Sequence, residues 1–159
     1  MLQKIISGGQ TGADRAGLDA AIELGIPHGG WIPKGRKAED GVLPDKYQLQ
    51  EMPTPSYPRR TEQNVLGSDG TLILSHGNLT GGSALIRKLA KQHLKPWLHI
   101  DLDELSLKEA ADRLTRWIEG HEIRVLNVAG PRGSKDPDIY DQTKEVISGC
   151  IDSLKEGRR

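Results

Sequence analysis

The 159-residue chain carries 22 Lys and Arg against 22 Asp and Glu, so its formal net charge is zero. That balance gives no electrostatic ground for a nucleic acid or a membrane surface as partner. The one cysteine, Cys150, excludes an intramolecular disulfide. No apolar run is long enough to span a bilayer, and the N-terminus leads straight into a strand pattern without a secretory apolar region, which predicts a cytoplasmic protein. The length suits one domain. Phenylalanine is absent, so Leu, Ile, Val and Ala must build the core. Arg158 and Arg159 read as a short solvated basic end.

Lys4 to Ser7 reads as the first strand. Ala13 to Leu24 follows as a helix, with Ala16, Ala20 and Leu24 on one face and Gly25 and Pro27 as its stop. Gly29 to Gln48 is rich in Gly, Pro and charge, and its length marks it as a lid-like loop. Lys34, Arg36, Lys37 and Asp40 are its candidates for closing over an anion, against the plainer reading of a solvated loop. Leu49 to Met52 reads as a short edge strand. Pro58 to Leu66 reads as a short helix with proline in its first turn and Gly67 past its end.

Thr71 to Leu74 is a strongly apolar strand, followed by a helix over Ala84 to His93. Trp97 to Ile100 is the next strand. Ser106 and Glu109 form a capping box for a helix to Ile118, burying Leu107, Ala110, Ala111, Leu114 and Trp117. Arg124 to Ala129 is a late strand. Asp136 then caps a helix with Pro137 at its first position, running to about Leu154. Its buried stripe is Ile139, Thr143, Val146, Ile147, Cys150 and Leu154. Alternating strands and helices with nearly continuous apolar strands predict an α/β fold, a parallel sheet with helices on both faces.

Three glycine-rich turns each join an apolar run to a helical pattern. They span 7–15, 75–83 and 129–134. Glycine lets backbone approach a ligand closely, and the helix that follows offers free N–H groups and partial positive charge to an anion. Three such turns predict one composite site for an anionic small molecule. Its candidate residues are Gly8, Gly9, Gln10, Thr11, Gly12 and Asp14 in the first turn. The second contributes His76, Gly77, Thr80, Gly81, Gly82 and Ser83, and the third Gly130, Pro131, Arg132 and Ser134. Arg60 and Asn64, four apart, share a helix face and join the set. Arg132 suits a bidentate anion contact. Asp14 reads equally as a favourable charge in a first helical turn or as a partner for a sugar hydroxyl. His76 reads as a ligand contact or as a support of its own loop.

No lysine precedes Ser83, which disfavours a Walker-type nucleotide triphosphatase, and the first turn lacks the G-x-G-x-x-G order. His99, Asp101 and Asp103 alternate at a strand end, a weak metal signal, and no metal site is expected. No G-x-S-x-G elbow occurs, and Cys150 reads as a buried inert thiol.

Several segments together resemble the circularly permuted YpsA-like branch of the SLOG superfamily, whose members carry a molybdenum-carrier label. They are residues 7–14, Pro33-Lys34-Gly35-Arg36 with Glu39-Asp40-Gly41, 60–65, 79–83, and Gly130-Pro131-Arg132 with Ile139-Tyr140. Gly133 stands where that branch tends to carry an acidic residue. The resemblance implies a Rossmann-like three-layer domain with a circularly permuted SLOG/LOG-like topology. Strand Arg124–Ala129 is then expected between Lys4–Ser7 and Thr71–Leu74, with all three glycine turns at one sheet edge. It also implies a phosphorylated nucleotide-like or pterin-like ligand, with molybdenum cofactor as the named version, and a homo-oligomer. The rival reading is a phosphoribohydrolase like the cytokinin-activating LOG proteins, or a sensor of a nucleotide-derived signal. LOG enzymes carry glutamates soon after the residues matching Gly82-Ser83, where this chain has Ala84, Leu85, Ile86 and Arg87. Glycosidic cleavage needs a carboxylate, which Asp14, Glu39 or Asp40 could supply only if brought in from other loops, so a binding protein is expected.

Overall fold

The computed structural model describes residues 1–157, and the basic pair Arg158–Arg159 lies outside the described residues. The chain runs β1 (Lys4–Ile6), α1 (Ala13–Leu24), β2 (His28–Gly29), β3 (Trp31–Ile32), β4 (Lys37–Ala38), β5 (Gly41–Val42) and β6 (Gln50–Glu51). It continues through α2 (Tyr57–Leu66), β7 (Gly70–Ser75), α3 (Gly81–Gln92), β8 (Trp97–Asp101), α4 (Leu107–His121), β9 (Val125–Ala129) and α5 (Ile139–Glu156).

Five strands form one parallel sheet in the order β2-β1-β9-β7-β8. The late strand β9 lies between β1 and β7, as the permuted topology requires. Ile5 faces Leu126 across one ladder, and Leu72 faces Val128 across the other. Every residue of β7 is buried, the mark of a strand covered on both faces.

Alternation along the strands divides the core. Leu72, Leu74, Leu126 and Val128 pack with α1, α4 and α5 through Ala20, Leu114, Ile118, Val146 and Ile147. On the opposite face Ile73 and Ala129 pack with Val65 of α2 and Ile86, Leu89 and Ala90 of α3. The result is three layers. The α5 stripe expected from sequence is buried at all six positions, and burial pushes the Cys150 thiol up to about 11. The Ser106–Glu109 capping box of α4 is present in both directions. The buried face of α4 is Ala110, Ala111, Leu114 and Ile118, with Leu107 and Trp117 packed at its margin.

Two local expectations are corrected. Asp136 does not cap α5: Asp138 holds the cap position without a side-chain bond, and the Asp136 carboxylate instead meets His76 Nδ1 at 2.6 Å. The close side-chain contact with the His76 ring takes the carboxylate in place of the N–H groups at the helix start. The segment read as a lid over 29–48 is also largely anchored. Leu43, Tyr47 and Leu49 bury with Leu18 and Ile32 in a small third core. Arg36 donates to the carbonyls of Leu43, Pro44, Tyr47 and Leu49. β3 and β6 pair in parallel, apart from the main sheet, while β4 and β5 form a small antiparallel hairpin.

The helix after β7 covers one face, and the helices after β1 and β9 cover the other. The strand order therefore changes direction between β9 and β7. Such a switch leaves a crevice at the carboxyl ends of the strands.

Candidate anion-binding cleft

The glycine turns after β1, β7 and β9 open onto a cleft of about 760 Å³ at this switch point, a size suited to a small-molecule ligand. Of the residues singled out from sequence, it brings together Gln10, Asp14, Arg60, His76, Thr80, Gly81, Gly82, Ser83, Gly130, Pro131 and Arg132. Gly8, Gly9, Thr11, Gly12, Asn64, Gly77 and Ser134 do not line it. A smaller hollow of about 350 Å³, among Met1, Ile118, Glu122, Arg124 and Leu154, lies at the opposite end of the strands.

The three turns differ in what they offer. The first and third are stapled together. Ala13 N donates to Pro131 O at 3.2 Å and Gly133 N donates to Thr11 Oγ1 at 3.0 Å. Gly9 N donates to Ser7 Oγ, Thr11 N to Gln10 Oε1 and Gln10 N to Asp14 Oδ2. Ser134 N donates to Glu39. These backbone donors already have protein partners. The second turn is different, because Gly81 and Gly82 open α3 ahead of its first intrahelical bonds, and their N–H groups are the ones a helix leaves unpaired. Ser83 N turns back to Thr80 O.

Two buried charges form the floor. Arg60 is 6% exposed and Asp14 is 8% exposed. Nη1 of Arg60 donates to Gly8 O, and its guanidinium lies 5.4 Å from the Tyr57 ring centroid. Burial lowers its pKa from the arginine norm, opposed by the neighbouring Asp14 charge. Burial raises the Asp14 carboxyl to about 6, partly offset by Arg60 and Arg15 and by the Gln10 N–H. Its hydrogen bond to that N–H is long, 3.4 Å, so Asp14 has acceptor capacity left facing the cleft.

His76 uses both ring nitrogens on protein, Nδ1 with Asp136 and Nε2 with Gln142, each at 2.6 Å. Burial disfavours its charge, but these two hydrogen bonds outweigh it and the pKa rises. Asn64 clamps the backbone of Trp31, accepting from its N–H at 2.8 Å and donating to its carbonyl at 3.1 Å. His99 meets Ser75 Oγ at 2.7 Å, and Asp101 accepts from Gly77 N and Asp103 N. Those two backbone donors hold the Asp101 carboxyl below its usual range. Among the described residues no three His, Cys, Asp or Glu side chains gather as metal ligands.

Sequence reasoning did not single out Tyr57, Pro58, Thr61 or Lys135, which also line the cleft. Tyr57 begins α2 directly after the Ser56 cap, and Lys135 follows the third turn. Their positions beside picked residues were the only available signal.

The fold and cleft define a class: a Rossmann-like α/β protein with a ligand-sized, cation-bearing crevice at the switch point of its sheet. The chain belongs to the circularly permutated YpsA SLOG family, whose model matches residues 5–151. It is also similar to a crystal structure from Syntrophus aciditrophicus SB named "Putative molybdenum carrier protein". The two are 59% identical, with a TM-score of 0.93 over 94% of this chain and 95% of the other. No curated protein matches the sequence. No helix among the described residues is long and apolar enough to cross a membrane.

Proposed function

We propose that this protein binds a phosphorylated, nucleotide-like or pterin-like small molecule in the cleft. One observation carries the reading. The free N–H groups of Gly81 and Gly82 share a single cleft with Arg60, Arg132 and Lys135 and with the apolar side chains of Tyr57, Leu79, Leu85 and Ile86. A phosphate suits the first set, through helix N–H groups and charge-assisted bonds. A flat ring suits the second.

The name of the Syntrophus relative supports molybdenum cofactor as the cargo. The cleft fits the phosphate and the pterin of such a cargo. The described residues offer no cluster of metal ligands, so the metal would stay on the cofactor's own sulfur atoms. Leu85 and Ile86 stand on the cleft wall, and apolar groups neither relay protons nor stabilise a developing cation. This supports binding without turnover.

Mass spectrometry of small molecules released from the purified protein tests the reading first. A phosphorylated heterocycle is expected. Calorimetry with a panel of nucleoside monophosphates and phosphorylated pterins follows. Gly82→Val should abolish the binding seen there without unfolding the protein, because a Cβ at Gly82 meets nothing within 4 Å. Gly9 is unsuitable for the same experiment. Its φ is +73°, and a Cβ there would press on Leu43, Leu49 and Ile32 at 3.2–3.3 Å, so substitution disturbs the fold. Arg132→Ala should cost about 1.5–3 kcal/mol of affinity for the phosphorylated ligand. Unchanged affinity in both variants would reject the cleft, and sustained release of free base from a nucleotide would replace carriage with hydrolysis.

A further inference from the structure

The β4–β5 hairpin is fastened to the rest of the molecule by the two carboxylates of its turn. Glu39 accepts hydrogen bonds from Thr11 Oγ1, from Ser134 N at 3.1 Å and from Ser134 Oγ at 2.7 Å. Arg132 Nε lies 3.4 Å from the same carboxylate, and the Glu39 N–H donates to Gln10 Oε1 at 2.8 Å. Beside it, Asp40 takes both terminal nitrogens of Arg15 at 3.0 and 3.1 Å.

Four donors from two glycine turns therefore converge on one carboxylate, as donors do in a nest for a bound oxyanion. The Thr11 and Ser134 bonds hold the Glu39 carboxyl below its usual range. The occupant is carried on an arm with little apolar anchorage. Lys37, Glu39, Asp40, Gly41 and Val42 are exposed and Ala38 alone of the hairpin is buried. Lifting the turn uncovers little apolar surface, so little hydrophobic free energy opposes it. The nest also adjoins the cleft, since Gln10 and Arg132 belong to both. Lys37 Nζ lies 5.0 Å from the ring centroid of Tyr57, which lines the cleft.

We infer that Thr11, Arg132 and Ser134 form a second oxyanion subsite, filled by Glu39, which a second phosphate group of the ligand takes over as the hairpin turn lifts. This rests on the phosphate reading of the cleft and narrows the ligand class. The ligand carries two anionic groups, as a pyrophosphate ester or a bisphosphate does, one for the α3 N-terminus and one for the nest. The exchange replaces one anion by another on the nest donors, while the lift must also part the Asp40–Arg15 ion pair.

Equilibrium dialysis with inorganic phosphate compares the unaltered protein with Glu39→Ala. At least a tenfold gain in affinity is expected, and adding Thr11→Val and Ser134→Ala should remove it. Equal phosphate binding by a folded Glu39→Ala protein would overturn the subsite and leave Glu39 a structural latch. Amide hydrogen exchange of the unaltered protein with millimolar inorganic pyrophosphate gives a second decision. Faster exchange at residues 37–42 supports the takeover. Unchanged exchange there, whether or not pyrophosphate binds elsewhere, rejects it. The two readings fail separately. A gain in Glu39→Ala without nucleotide binding by the cleft keeps the nest and removes the cleft reading. Nucleotide binding without the gain does the reverse.

Discussion

Asp14→Asn should make the protein more stable at pH 7 to 8, by about 2–3 kcal/mol, and leave it nearly unchanged below pH 4. The carboxyl rises from an ordinary 3.8 to about 6 on folding, and each unit corresponds to about 1.4 kcal/mol. Between those two values the folded state holds the proton more tightly than the unfolded chain. Stability therefore falls as pH rises through this window, and above it the folded protein carries the full cost of a buried charge. An amide of the same shape removes that cost, and the shift to about 6 already includes the favourable pull of Arg60. Urea unfolding of both proteins from pH 3.5 to 8 measures the difference. A pH-independent gap, or a destabilised variant at pH 8, would contradict it. If Asp14 accepts a hydrogen bond from a ligand hydroxyl, the same variant should lose affinity while gaining stability. Such an exchange of stability for binding is expected where a site keeps a strained group.

Gly12→Ala should be the most damaging of the glycine substitutions in the first turn. Its backbone has φ 81° and ψ −131°, a region that residues with a Cβ scarcely adopt. A Cβ there would also lie 2.3 Å from Pro131 O and 2.8 Å from Gly133 N. Both contacts are backbone, at the seam where the first and third turns are stapled, so neither can swing aside. A loss of about 3 kcal/mol or more is expected, which for a chain of this size lowers Tm by roughly 6–12 °C. Gly82→Ala should change stability by less than about 0.5 kcal/mol, since its surroundings are open. Calorimetric Tm values of the two variants, side by side, check the contrast. Equal losses would mean that the seam between the turns is not as the structure shows.

The glycines thus divide into those that build the turns and those that face the cleft, and this division was not legible in the sequence. Gly12 and Gly82 look alike there, each just ahead of a helical pattern. What separates them is Pro131, more than a hundred residues away along the chain. The same holds for the donors. A strand-to-helix glycine turn advertises free N–H groups in all three cases. Gly133 gives its own to Thr11, 122 residues distant, and Ser134 gives its own to Glu39, 95 residues distant. The turn into α3 keeps the N–H groups of Gly81 and Gly82 that open its helix. Arg60 was legible as a cation on a short helix, but its burial and its bond to Gly8 O depend on where α2 lies.

By itself the sequence determined what depends on neighbours a few residues apart. Period and caps located the five helices, and the Ser106–Glu109 box and the Gly25 stop stand where local chemistry puts them. Apolar runs located the strands of the main sheet apart from the two-residue β2. Their spatial order followed from family resemblance, because periodicity carries no information on which strand lies beside which. Tertiary structure decided the rest: which partner the Asp136 carboxylate would serve, how the 29–48 segment is pinned by Arg36, and which donors stay free for a ligand. The physical reason is common to all three. A hydrogen-bonding group takes the best partner within reach in space, and for these groups that partner arrives only when distant segments of the chain have packed together.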